Sequence, residues 1–325
     1  MRLTVTVPSW ACHVVSDRTD MDRAPRAIDP SKVRRYTLNL PDDVYFEYAF
    51  LDEHGQMRAD PERPERADNP WYPSVTAVRG PDYQPHPLAH VDDALATGTM
   101  ERLRIPTRDG TERRASLYTP TGLEGPAPLL VVHDGTAFQR IARLPALLET
   151  LMRDASLTPA RLAFLDPRTP SARREEYGFG EAYQHALAHA VLPTLQEKAQ
   201  ATTTLWMGAS LGGLAALLAS LDQPESVSGI ALHSAALLGT PDDRTFHGTE
   251  RSWMLEHLAE RTAPLPWRVY QEVGTLDWLH DVNVATAAHF ERLADAHHFT
   301  TRNAGHNWTF WRDGVADALT FLLTP

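Results

Sequence analysis

The sequence predicts an α/β protein in which a mostly parallel central sheet carries helices on both faces, preceded by a small antiparallel β-domain. In the larger, carboxyl-terminal part of the chain, short apolar runs typical of buried strands alternate with helical patterns. Examples are the strand runs Leu129–Val132 and Leu162–Leu165 and the helical stretches Leu144–Asp154 and Glu181–Glu197. Nearer the amino terminus, the runs alternate apolar and polar residues between turn clusters, which is typical of antiparallel strands.

The amino-terminal strands are predicted at Thr4–Val7, Arg35–Leu40 and Val44–Leu51. We assign residues 1–90 to a small β-sandwich domain of the early-set, immunoglobulin-like type, with a linker to about residue 98. Residues 99–325 are assigned to the α/β domain. A chain of 325 residues exceeds the usual size of one domain, so two domains are expected.

The α/β domain is predicted to begin with a hairpin. Its strands, Met100–Pro106 and Arg113–Tyr118, flank a turn centred on Asp109. Later strands are predicted at Thr203–Met207 and Val269–Val273.

Composition excludes several classes of function. The 31 basic and 42 acidic side chains give a net charge of −11 without a basic cluster, so no nucleic-acid partner is expected. No apolar run approaches the roughly 18 residues that a membrane span needs. The single cysteine, Cys12, excludes an internal disulfide and favours a cytoplasmic location, as does the lack of a signal-peptide core at the amino terminus. His185 and His189 have the helical spacing of two metal ligands but lack the glutamate of a zinc protease, so we predict no metal and no cofactor.

A Gly-x-Ser-x-Gly motif, Gly208 to Gly212, lies between a predicted strand and the helical stretch Leu214–Leu221. This context is typical of a nucleophile elbow, a sharp turn that exposes a serine hydroxyl at the carboxyl edge of a sheet. Ser210 is therefore the candidate nucleophile. The backbone amide of Leu211, at the start of the helix, is the first candidate oxyanion donor.

Two partners for Ser210 follow it in the chain, in the order acid and then histidine. Asp277 leaves the end of one predicted strand, and His306 follows the next, which lies around Phe299. His306 is the candidate general base, and Asp277 would hold its imidazole in the required tautomer. Glu272, inside the strand before Asp277, is the alternative acid. Five other histidines are predicted to lie in helical stretches: His185, His189, His289, His297 and His298.

From Leu129 onward, a set of residues spread along the chain occurs in the order typical of one enzyme family. They are His133-Asp134-Gly135, Asp166, Arg173, Glu176-Tyr177, Leu192-Pro193, Gly208 to Leu214, Ser234, Gly305-His306, Trp311-Arg312 and Gly314. On these residues the chain resembles the putative-esterase group of α/β-hydrolases and, within it, the enterochelin (catecholate siderophore) esterases. The resemblance implies an α/β-hydrolase fold, Ser210 as nucleophile and His306 as base, and leaves the acid open because members differ in which carboxylate serves.

The second oxyanion donor is expected in the loop after the first central parallel strand. A backbone amide of Gly135 or Thr136 could face the Leu211 amide across the substrate oxygen. Glycine permits the backbone conformation and close approach that this needs. The alternative is an ordinary turn between a strand and a helix.

Four side chains near these motifs are candidate substrate contacts. Arg173, with Arg168 nearby, could hold an anionic oxygen of the substrate, whereas an internal Arg173–Glu176 pair would only fix the loop. Trp308 and Phe138 lie beside the catalytic motifs in sequence and could form an apolar wall.

These residues predict a serine carboxylic-ester hydrolase that works through an acyl-Ser210 intermediate on a small-molecule ester. The family resemblance implies a large catechol-acylated serine ester, such as a siderophore trilactone. The alternatives are a general carboxylesterase or acyltransferase for less charged acyl esters, and a catalytically silent binding protein on the same scaffold.

Overall fold

A computed structural model describes residues 1–19, 21, 26–69, 72–108, 110–154, 157–244, 246 and 249–324. The predicted turn residue Asp109 lies outside this set. Among the described helices, none is both long and apolar enough to cross a membrane.

The amino-terminal part forms two antiparallel sheets. In one, β1 pairs with β4; in the other, β5 pairs with β2, β6 and β7, and β3 pairs with β2. All seven residues of β5 are buried, so this strand is the centre of the small domain. The strands are β1 (Arg2–Thr6), β2 (His13–Ser16), β3 (Arg26–Ala27), β4 (Arg35–Asn39), β5 (Tyr45–Leu51), β6 (Met57–Arg58) and β7 (Thr76–Arg79).

The remaining strands form one eight-stranded sheet in the order β15-β14-β13-β12-β10-β11-β9-β8. The six strands from β15 to β11 are parallel, and the predicted hairpin β8–β9 adds antiparallel strands at one edge. The predicted mostly parallel sheet is confirmed. These strands are β8 (Thr99–Pro106), β9 (Glu112–Thr119), β10 (Ala127–His133), β11 (Arg161–Leu165), β12 (Ala201–Ala209), β13 (Val227–His233), β14 (Leu265–Gly274) and β15 (Ala294–Arg302).

Helices cover both faces of this sheet and bury an apolar core on each. Successive side chains of β12 alternate between the two, as strand geometry requires: Leu205 belongs to one core and Trp206 to the other. The predicted helix Glu181–Glu197 consists of α4 and α5, joined by one π-helical turn, Leu187–Val191. The helices are α1 (Gly135–Arg140), α2 (Leu144–Asp154), α3 (Arg173–Tyr177), α4 (Glu181–Ala186), α5 (Leu192–Lys198), α6 (Leu211–Asp222), α7 (Trp253–Glu260), α8 (His280–Leu293) and α9 (Trp308–Leu323).

His297 and His298 lie in β15, so their predicted helical placement is wrong. Helix α8 ends at Leu293 and β15 begins at the next residue, without a glycine or proline to mark the boundary. Because β15 is an edge strand, it is only partly buried and lacks the apolar run that would have marked it as a strand.

The small domain contacts the loop that follows β15. The backbone N–H of Tyr45 donates to the carbonyl of Asn303 (3.1 Å), and the Asn303 side chain donates to Asp43 (2.7 Å). The Tyr83 hydroxyl donates to Asp313 of α9 (2.7 Å). These contacts fix the amino-terminal part beside the carboxyl ends of the parallel strands, while the domain boundaries near residues 90 and 99 stay predictions.

Candidate active site

Ser210 lies at a sharp turn between β12 and α6. Its φ of 55° and ψ of −124° are unfavourable for a residue with a side chain, as expected for a nucleophile elbow. Small neighbours make the turn possible, because a Cβ on Gly208 would lie 2.2 Å from the carbonyl oxygen of Gly212. A Cβ on Gly213 would lie 2.9 Å from that of Ala235. The predicted strand–turn–helix context of Ser210 is therefore present.

His306 lies between Ser210 and Asp277. Its Nε2 is 3.0 Å from Ser210 Oγ, and its Nδ1 is 2.9 Å from Asp277 Oδ2. Asp277 is buried and also accepts from the backbone N–H of Leu279 (2.9 Å), which fixes the carboxylate. With Nδ1–H donating to Asp277, Nε2 is free to accept the serine proton. The structure thus brings together three side chains that are far apart in sequence.

Glu272 does not contact His306. It is fully buried in β14, where its carboxylate lies 2.6 Å from His233 Nδ1 and accepts from Arg302 (2.6 Å). The contacts of Glu272 are therefore with His233 and Arg302, and Asp277 is the carboxylate that contacts the imidazole of His306.

The two loops that supply the histidine and the acid are held together by backbone hydrogen bonds. The N–H of Thr275 donates to the carbonyl of Arg302, and that of Leu276 donates to the carbonyl of Ala304, both at 3.0 Å. Because β14 and β15 are parallel neighbours, both loops emerge at the same edge of the sheet, where such folds place their chemistry.

The structure separates the predicted oxyanion donors. Leu211 begins α6 and lines the cleft beside Ser210, so its N–H belongs to the unpaired first turn of a helix. The prediction that Thr136 donates to the oxyanion is wrong, because its backbone N–H donates to the Asp166 carboxylate at 3.1 Å. Gly135, the first residue of α1, remains the predicted second donor. A Cβ there would lie 2.6 Å from the Cβ of Phe164, so this position requires glycine.

Arg173 forms an ion pair with Asp134. The alternative interpretation, a pair between Arg173 and Glu176, is therefore wrong. The Nε and one terminal nitrogen of Arg173 lie 2.7 and 2.6 Å from the two oxygens of Asp134, a bidentate arrangement. Arg168 takes the place expected of Arg173, with its Nε 2.5 Å from Glu176 Oε1. Both arginines line the cleft, but each forms an ion pair with an acidic side chain of the protein.

The prediction that Trp308 and Phe138 form a wall against the substrate is wrong. Both are fully buried, and their rings contact each other with centroids 5.2 Å apart. They belong to the core on the α9 side of the sheet, because the first turn of α9 directs Trp308 inward. Two other tryptophans contact the His306 ring instead: Trp278 at 5.6 Å and Trp311 edge-on at 4.9 Å.

His133, at the end of β10, is a further buried histidine near the site. It stacks on Trp206 at 5.4 Å, and burial, followed by the charge of Arg173, lowers its pKa to about 3. The ring is therefore neutral at physiological pH and packs among aromatic side chains of the core, without a role as a base.

A cleft of about 860 Å³ opens over Ser210, Leu211 and His306. Its wall from the α/β domain includes Arg140, Arg174 and both paired arginines, and the described lining residues also include four aspartates. The opposite wall comes from the small domain, which contributes Asp17, Met21, the segment 67–69, Tyr72 and Pro73. Sequence reasoning missed this wall because its residues carry no catalytic motif and are distant in sequence from Ser210.

A family model described as Putative esterase matches residues 107–322. The chain belongs to the Putative esterase family. The match covers every predicted catalytic residue, and the resemblance expected from the sequence is confirmed.

Curated relatives extend this result. The chain is 24% identical over 231 residues to the iron(III) salmochelin esterase of Escherichia coli O6:H1 strain CFT073, covering 66% of this chain and 55% of the relative. It is 28% identical over 228 residues to the iron(III) enterobactin esterase of Dickeya dadantii strain 3937, covering 66% and 52%. The matches thus span about half the length of these relatives.

Solved structures confirm the α/β-hydrolase fold. The enterobactin esterase of Shigella flexneri, in the presence of 2,3-di-hydroxy-N-benzoyl-serine, superposes with a TM-score of 0.71 at 19% identity, covering 99% of this chain and 92% of that one. The ferric enterobactin esterase of Salmonella typhimurium gives 0.72 at 16% identity, with the same coverage. At this identity the similarity concerns the fold, including the small domain that precedes the hydrolase domain.

Proposed function

We propose that this chain is a serine esterase that hydrolyses carboxylic esters of small molecules through an acyl-Ser210 intermediate. The observation that carries the proposal is the pair of short contacts from His306 to Ser210 and to Asp277. This geometry, on a strained elbow at the floor of a cleft, meets the requirements for an activated nucleophile.

The reaction follows from the arrangement of these groups. Ser210 Oγ attacks the ester carbonyl carbon while His306 Nε2 takes its proton, and the Leu211 N–H stabilises the developing oxyanion. The imidazolium then returns the proton to the leaving alcohol, which yields the acyl-enzyme. Water, deprotonated by His306, then attacks the acyl carbon. The bond from that carbon to Ser210 Oγ breaks, the imidazolium returns its proton to Oγ, and the acid is released. Asp277 stabilises the imidazolium in both half-reactions.

The first substrate class that we propose is a catechol-acylated serine ester of the siderophore type. Two observations support it: the names of the curated relatives and a cleft large enough for an aromatic acyl group. The pairing of Arg173 and Arg168 with acids favours a second candidate, a less charged acyl ester, because little unbalanced positive charge is left for a trianionic ferric complex. Cys12, the single cysteine, supports a cytoplasmic location for either activity.

A hydrolysis panel tests this proposal. Apo and ferric catecholate trilactones are compared with p-nitrophenyl and aryl esters by their kcat/KM values, with Ser210→Ala as the inactive control. We expect turnover of at least one class, lowered about 10⁶-fold in kcat by Ser210→Ala. A thousandfold preference for the simple esters would reject the siderophore substrate, and a loss below tenfold in Ser210→Ala would reject the mechanism.

A further inference from the structure

Asp17 belongs to the small domain yet lies beside the catalytic histidine. It follows β2 directly, is fully buried, and lines the same cleft as Ser210 and His306. Its Oδ2 accepts two hydrogen bonds, one from the backbone N–H of Glu47 in β5 (2.8 Å) and one from the Asn307 side chain (3.0 Å). One carboxyl group thus joins the core of the small domain to the loop that carries His306.

The residue before His306 packs directly against this carboxyl group. A Cβ on Gly305 would lie 2.0 Å from the Cβ of Asp17, a separation that real side chains do not adopt. Only glycine lets the loop approach Asp17 this closely. The backbone on the amino-terminal side of His306 is therefore held against Asp17 by packing.

The residue after His306 is held by hydrogen bonds at both ends of its side chain. Asn307 Nδ2 donates to Asp17, while Asn307 Oδ1 accepts from the backbone N–H of Phe310 (2.9 Å) and caps α9. The start of α9 and the small domain are thereby linked through one amide.

We propose that Asp17 is a positioning residue for the catalytic histidine, supplied by the small domain, which fixes the backbone on both sides of His306. This inference rests on the proposed function. Asp277 orients the ring through Nδ1, but a loop backbone that moves carries the ring with it. A displacement of about 1 Å can cost about 10²-fold in rate, so a fixed loop is worth a large factor in kcat.

A second contact between the small domain and the same loop offers a matched control. Asp43 accepts from Asn303 at 2.7 Å, but Asp43 is exposed, and its partner Asn303 lies three residues before His306. Removing it deletes one carboxylate contact of the same kind without touching Gly305 or Asn307.

The test compares four single variants of the full chain on an aryl ester, Asp17→Ala, Asp17→Asn, Asn307→Ser and Asp43→Ala, together with the double variant Asp17→Ala/Asn307→Ser. Asn307→Ser keeps a side chain that caps α9 but is too short to reach Asp17, so it breaks only the link. Asp17→Asn keeps the accepting oxygen. It also matches a neutral acid, because burial and the neighbouring Glu47 raise the pKa of Asp17 well above its usual range. The measurements are kcat, KM and the rate at which a fluorophosphonate labels Ser210.

We expect Asp17→Ala and Asn307→Ser each to lower kcat and the labelling rate by about tenfold to a hundredfold, with KM changed less than about threefold. Asp17→Asn and Asp43→Ala should stay within about threefold of the wild type. The double variant Asp17→Ala/Asn307→Ser should be no slower than Asp17→Ala, because both changes break the same link.

Wild-type kcat in a folded Asp17→Ala or Asn307→Ser protein would overturn the inference, as would a rise in KM alone. An equal loss in Asp43→Ala would show general loosening of the interface and would also overturn it. If Asp17→Ala does not fold, Asn307→Ser and Asp17→Asn still decide the question. A wild-type protein that is neither active nor labelled would instead refute the proposed function.

Discussion

Replacing the buried Glu47 with glutamine should make the stability of this protein less sensitive to pH. Glu47 is fully buried in β5, where it accepts from Asn69 Nδ2 (2.8 Å) and from the Tyr45 hydroxyl (3.2 Å). Burial is the main cause that raises its pKa from 4.5 to about 7. Glutamine has the same shape and can accept from Asn69 while donating to Tyr45, so the substitution mainly removes the titration.

The raised pKa of Glu47 sets the direction and the size of the change in unfolding free energy with pH. A carboxyl group whose pKa is higher in the folded state stabilises the fold below its unfolded pKa, and this contribution is lost as pH rises through the folded pKa. A pKa raised from 4.5 to about 7 corresponds to about 3 kcal/mol of unfolding free energy between these two pH values, at about 1.4 kcal/mol for each pH unit.

Urea unfolding at pH 4.5, 6 and 7.5 measures this effect. The wild type should lose about 3 kcal/mol relative to Glu47→Gln between pH 4.5 and 7.5. Glu62→Gln, an exposed carboxylate in the same domain, should behave like the wild type. The reasoning is refuted if the difference in stability between the wild type and Glu47→Gln is the same at all three pH values.

Other substitutions separate catalytic from structural roles. Asp277→Asn should lower kcat by about 10⁴, because the imidazole would then favour the wrong tautomer. Glu272→Gln should keep kcat within about tenfold but lower the free energy of unfolding by about 3 kcal/mol, since the ion pair between the fully buried Glu272 and the partly buried Arg302 is lost. Measurements of kcat and of urea unfolding distinguish the two carboxylates. Trp308→Ala should lower the free energy of unfolding by about 3–5 kcal/mol, as expected for a core residue, and leave the KM of the folded enzyme nearly unchanged. A several-fold rise in KM at wild-type stability would instead show that Trp308 contacts the substrate.

Local patterns predicted the sheet and the elements that form the candidate site. The elbow around Ser210 and the loop that carries Asp277 each follow an apolar strand run that is readable in the sequence. The strand before His306 was predicted only around Phe299, because β15 is partly exposed. Chain order alone then predicted which side chains would meet, since parallel strands end at one edge of the sheet. The choice between Asp277 and Glu272 needed coordinates, because both lie within a few residues of the same strand end.

Contacts between distant segments could not be predicted. Because Trp308 and Phe138 lie close in sequence to the catalytic motifs, they were expected to line the cleft. Instead, α9 and α1 direct these two side chains into the core, where their rings contact each other. The pairing of Arg173 with Asp134 depends on a loop conformation in which Asp134 adopts a positive φ of 55°. The link from Asp17 to Asn307 joins residues 290 positions apart, and no periodicity or motif marks either partner.

Ser210 is the proposed nucleophile, and active-site labelling tests its reactivity most directly. The folded protein is treated with a fluorophosphonate, digested, and analysed by mass spectrometry, with Ser210→Ala as the control. We predict a single adduct, on the peptide that contains Ser210, which disappears in the control. An adduct on Ser234, which also has a positive φ (45°), or no adduct on the folded protein, would contradict the account.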